Sequence, residues 1–88
     1  MPHVLNKMTG VKFEDIQKQL NTDAASHAEH GMYLEHLWRN ADEPDEIFFL
    51  FRVEDLDYCK NLMQKIYREA REKDPDIRLP DKIFLEEE

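Results

Sequence analysis

The chain has 88 residues, a net charge of −8 and one cysteine. That length allows a single domain over residues 1–88, and a lone cysteine excludes an intrachain disulfide framework. Twenty acids against twelve Lys and Arg, with the basic residues strung out among the acids, disfavour nucleic acid and anionic membrane surfaces as partners.

A chain this short, folded alone, buries only roughly 60–65% of its unfolded surface, so a second copy would help its stability. The amino terminus lacks the apolar run of a signal peptide. No apolar segment nears the ~20 residues needed to cross a bilayer. A soluble, cytoplasmic protein is expected.

His3 to Met8, ending at Thr9-Gly10, reads as a short strand. From Val11 to about Glu29 the period becomes helical, with Phe13, Ile16, Leu20, Ala24 and His27 on one stripe. Glu14 and Asp15 suit the positive end of the helix dipole. Asn21-Thr22-Asp23 is a run of poor helix formers where a kink or break is expected. Gly31 offers a left-handed stop.

Met32 to Arg39 alternates, which predicts a half-buried strand. Met32, Leu34, His36 and Trp38 are expected on one face, and Tyr33, Glu35, Leu37 and Arg39 on the other. Asn40 to Asp45 supplies turn chemistry. The strand from Glu46 to Val53 completes a hairpin. Glu54 or Asp55 opens a second helix with Leu56, Cys59, Met63, Ile66 and Ala70 as its stripe, widened by Leu62 and Tyr67. Asp74-Pro75 stops it. Lys82 to Leu85 forms a last strand, and Glu86-Glu87-Glu88 an acidic tail. The order β-α-β-β-α-β predicts an α+β ferredoxin-like plait: a four-stranded antiparallel sheet with two helices on one face.

A one-sided sheet should alternate apolar and polar residues. The strand Ile47-Phe48-Phe49-Leu50-Phe51-Arg52-Val53 does not. Ile47, Phe49, Phe51 and Val53 fill one face, and Phe48 and Leu50 most of the other. Leaving those two wet forgoes several kcal/mol at ~25 cal/mol per Å². The second face is therefore expected to be covered by another copy across a two-fold axis, making a homodimer.

The strand Glu46–Val53 running into Glu54-Asp55-Leu56-Asp57, the hairpin His36–Asp45 before it and the closing Pro80…Phe84-Leu85-Glu86 resemble the dimeric α+β barrel superfamily. The relatives are antibiotic-biosynthesis-monooxygenase-like and stress-responsive barrel proteins. The resemblance covers nearly the whole chain. It implies two plaits packed sheet to sheet and, in many members, a pocket between each sheet and its helices. Some members oxidise or isomerise aromatic, polyketide-like substrates without metal or flavin. Asn6 lies where haem-degrading members use an asparagine together with a tryptophan and a histidine, which makes it a candidate ligand contact. The tryptophan here is on the second strand and the second helix has no histidine, so haem degradation is not expected.

His27, His36 and Trp38, with Met32 and Leu34, are expected to line one pocket. A histidine there would serve as general base near neutral pH, and the tryptophan would stack a flat ligand. The plainer alternative is that both histidines and the tryptophan are packed core. His27, His30 and His36 with Glu29 or Glu35 are suitable metal ligands by type. Their spacing matches no recognised motif, and Glu35 should point away from His36, so no metal is expected. Cys59 should be a buried, inert thiol, and no cofactor is expected. Three functions stay open: binding of a small flat apolar ligand, cofactor-independent monooxygenase or isomerase chemistry, and a structural or interaction module.

Overall fold

Alternation and periodicity translate into four strands and two helices in the order the sequence predicts. These are β1 (His3–Met8), α1 (Phe13–Glu29), β2 (Met32–Arg39), β3 (Ile47–Val53), α2 (Leu56–Lys73) and β4 (Asp81–Leu85). The computed structural model describes residues 1–87, so the last residue of the expected acidic tail, Glu88, lies outside the described residues. The strands form one antiparallel sheet in the order β2-β3-β1-β4, the ferredoxin-like plait.

Helix α1 runs unbroken through Asn21-Thr22-Asp23, where a kink was expected. Thr22 Oγ1 donates to the Lys18 carbonyl (2.9 Å) and Gln19 Nε2 to Asp23 Oδ2 (2.6 Å), so these side chains bond along the helix rather than against it. The inward stripe also differs at one place. Ala24 is exposed, and Asp23 takes the half-buried position beside Leu20 and His27. Gly31, at φ +70°, closes the helix in the left-handed region. Helix α2 is capped by Asp55, whose Oδ1 accepts from the Tyr58 backbone N–H at 3.0 Å.

The core lies between sheet and helices. Val4, Ile47, Phe49, Phe51 and Val53 project from the sheet to meet Leu20 of α1 and Cys59 of α2. The two helices do not pack closely on one another along their length. They are tied at one end, where His30 Nδ1 and the Tyr58 hydroxyl lie 2.8 Å apart.

One irregularity decides which residues reach the helices. The β2–β3 register runs Met32↔Val53 and Leu34↔Phe51, then shifts to His36↔Leu50 and Trp38↔Phe48. Glu35 is the extra residue of a β-bulge, and every side chain after it is turned over. Met32 and Leu34 face the helices, as Val53 and Phe51 do. His36 and Trp38 stand on the opposite face with Leu50 and Phe48, contrary to the alternation expected. Glu35 is on that opposite face too, accepting from His3 Nε2 at 2.6 Å, and so does not oppose His36.

Among the described residues no helix covers that second face. Leu5, Phe48, Leu50, Ile83 and Leu85 cross it from β3 to β4, with Trp38 at the β2 edge. Ile83 is 56% exposed and Trp38 45%.

Candidate functional site

Because the helices are joined at one end and apart elsewhere, a cleft of about 510 Å³ opens between them above the sheet. Its floor is Met32, Phe49 and Phe51. Ile16 and Leu20 wall it from α1, and Leu62 and Met63 from α2. The volume falls in the range of small-molecule sites, which are mostly apolar with a few convergent polar groups.

Gln19, Asp23, Ser26 and His30 of α1 and its end lie along the rim, and three further polar groups reach over the apolar floor. His27 sits edge-on to the Phe51 ring, 5.0 Å between centroids. Burial holds its imidazole below the ordinary range, while neighbouring Asp23 pulls the other way. Tyr67 contributes its ring and hydroxyl from α2, and burial pushes that phenol up to about 12. The third group is Lys82.

Lys82 follows from sheet register. In β4 it shares a face with Phe84, and it lies directly opposite Asn6 of β1, itself opposite Phe49 of β3. All three point at the helices. Asn6 is fully buried. Its amide nitrogen donates to the carbonyls of Val4 (3.4 Å) and Phe49 (3.3 Å), which fixes the amide and turns Oδ1 towards β4. Lys82 Nζ donates to that oxygen. The ammonium also stands over the Tyr67 ring, 5.2 Å from its centroid. Burial lowers the amine from 10.5 to about 8.

The residues singled out in the sequence divide. His27 and Met32 line the cleft. His36 and Trp38 do not: they stack on each other on the opposite sheet face, 4.8 Å between ring centroids, because the bulge has inverted them. Leu34 faces the helix side but stands 40% exposed at the β2 edge, outside the cleft. Asn6 is sealed beneath the floor and reaches the cleft only through Lys82. His36 is separated by the sheet from His27 and His30, so that histidine set is not gathered. Among the described residues no group of three His, Cys, Asp or Glu is placed to hold a metal. Cys59 is buried, its thiol pushed up by burial and 3.9 Å from the Met32 sulfur.

Lys82 is the polar site residue the sequence did not single out, whereas Tyr67 was placed on the inward stripe of α2. The available signal was alternation, since a lysine two residues before Phe84 shares its buried face. No family model, curated protein or solved structure matches this chain.

Proposed function

We propose that the chain binds a small, flat, largely apolar molecule in the cleft between its helices, and that two copies pair through their open sheet faces into an α+β barrel. One observation carries the first part: a cleft of about 510 Å³ floored by two phenylalanines, with His27, Tyr67 and Lys82 among its polar groups. A fold using this space only as core would close α2 onto α1. The second part rests on the apolar strip across the uncovered face, from Trp38 to Ile83. Charged groups there lie towards the strand ends: His3, Glu35 and Arg52 at one, Lys7 and Asp81 at the other. Two such faces stack about 10 Å apart with side chains interdigitated.

Titration with the neutral probe N-phenyl-1-naphthylamine tests the cleft. Saturable one-site fluorescence enhancement is expected, abolished by Ile16→Trp, which fills the cleft, in a variant that keeps its circular dichroism and melting transition. Absence of saturation, or equal enhancement in the variant, would reject the cleft as a ligand site.

A catalytic use of the same cleft is favoured by the lowered His27, because a neutral imidazole is the form a general base requires. A cofactor-independent monooxygenase or isomerase would abstract its proton there. His36 takes no part in that chemistry from the far side of the sheet. Substrate turnover by a His27→Gln variant at the wild-type rate would rule it out.

A further inference from the structure

We infer that the molecule taken by the cleft is an organic anion, a flat apolar carboxylic acid whose carboxylate docks on Lys82 Nζ while its ring system lies between the helices. This rests on the cleft being a ligand site, as proposed above, and names the chemistry of what enters it.

The chain carries a net charge of −8, yet the half-buried, desolvated amine of Lys82 is left without an acid. Among the described residues no carboxylate lies within ion-pairing distance of Lys82. A buried cation is ordinarily paired, since the desolvation it suffers is otherwise uncompensated. Here the partners are neutral: the Asn6 amide oxygen and the Tyr67 ring face. An ammonium has three N–H donors, and Asn6 takes one. Asn6 itself is locked by the Val4 and Phe49 carbonyls, so the amine is held in place before any ligand arrives.

The surroundings are polarised in the same sense. A second hollow of about 610 Å³ runs between α2 and β4, and it shares Met63, Tyr67, Pro80 and Lys82 with the cleft. Lys82 therefore stands where the two meet. The cleft side is apolar. The β4 side is lined by Lys60, Arg68 and Arg71 against Glu72 and Asp81, an excess of positive charge in a negative protein. The titratable groups around Lys82 and the cleft are Asp23, His27 and His30 from α1 and its end, and Cys59 and Tyr67 from α2. Asp23 is the one carboxylate among them; it accepts from Gln19 Nε2 and lies beyond ion-pairing distance of Lys82, and none of the others carries a negative charge at neutral pH. What the junction lacks is a carboxylate within ion-pairing distance of Lys82.

Calorimetric titration of 2-naphthoate against its neutral isostere 2-naphthamide tests this. Wild type is expected to bind the naphthoate roughly tenfold or more tightly at pH 7, the worth of one hydrogen bond to a charged group. The preference should vanish in Lys82→Met, persist in Lys82→Arg, and fall away by pH 10, where the amine loses its proton and the naphthoate stays ionised. Binding of both compounds within twofold at pH 7 would overturn the anion inference and leave the cleft as an apolar site. Binding of neither at millimolar concentration would overturn both. A preference surviving Lys82→Met would move the anion to Arg68 and Arg71 and overturn the assignment to Lys82.

Discussion

Replacing Lys82 by Met should make the protein more stable at pH 7, an advantage that disappears by pH 10. Burial brings the amine from 10.5 to about 8. At 1.36 kcal/mol per pH unit, keeping this ammonium charged in the folded state at pH 7 costs on the order of 3 kcal/mol. Methionine, of similar length, removes that cost. It also leaves Asn6 Oδ1 without its donor, about 1 kcal/mol or more, and loses the contact with the Tyr67 ring, about 0.5–1 kcal/mol. The balance at pH 7 is a gain of about 1 kcal/mol, or roughly 4–8 °C in Tm for a domain this size. Between about pH 8 and pH 10.5 the unfolded chain holds a proton on Lys82 that the folded chain has released. Wild-type stability therefore rises with pH across that window relative to the variant. By pH 10 the folded amine is neutral, so wild type has lost its contact with the Tyr67 ring as well, and the residual cost of under about 1 kcal/mol is matched by the variant's lost hydrogen bond to Asn6, so the difference closes. Urea denaturation of both proteins from pH 7 to 10 reads this directly, and titration of all other groups cancels in the difference. A difference that stays constant with pH would show that Lys82 is not desolvated, and would remove the physical basis for its role.

Three further outcomes follow from the same geometry. Ile83→Glu places a charge at the most exposed apolar position of the open face; sedimentation equilibrium should show self-association of wild type at micromolar concentration and a folded monomer for the variant, and a monomeric wild type would end the pairing proposal. Deleting Glu35 removes the bulge without moving any neighbour to the other face, because Met32, Leu34, Leu37 and Arg39 then alternate with Tyr33, His36 and Trp38. The shortened chain should fold with a loss of no more than about 1 kcal/mol, the worth of the exposed His3–Glu35 contact, and a collapse of its urea transition would show that the bulge itself is needed. Asp55→Ala, which strips the cap from the first turn of α2, should lower stability by about 1 kcal/mol in the same assay.

The order of elements was legible because each rests on a local signal. Strand β3 announces itself by six apolar residues in seven, α2 by the acid at its start and Asp74-Pro75 at its end, and α1 by Gly31. That Phe48 and Leu50 share the sheet face opposite Phe49 and Phe51 was likewise visible. The candidate site was less legible, for a reason that can be placed on one residue. Alternation assumes an unbroken ladder, and Glu35 breaks it. Nothing local marks that bulge: there is no glycine at 35, and a glutamate fits an exposed strand as well as a bulge. Its partner, His3, is 32 positions away. Two of the three residues expected to form a pocket were thereby carried to the other side of the sheet.

Lys82 shows the opposite failure, a residue whose placement was readable but whose meaning depends on register between strands far apart in the chain. Asn6 and Lys82 are 76 positions apart, and only the β1–β4 pairing sets them side by side. For stability alone, two apolar side chains at these positions would serve better, because an inward amide and an inward ammonium each lose hydration that apolar groups never had. Wholly apolar inner faces on β1 and β4 would join Val4 and Phe84 in a continuous core. The chain instead keeps a polar pair where two hollows meet, with the amide bound to the backbone on both sides and the ammonium short of a counter-ion. Departures from the locally best choice gather at functional sites, and among the described residues no other polar side chain is buried to the depth of Asn6. The Asn6 amide is tied to two backbone carbonyls and its oxygen to the amine, so the proposal of an anion site rests on this pair rather than on the more conspicuous histidines.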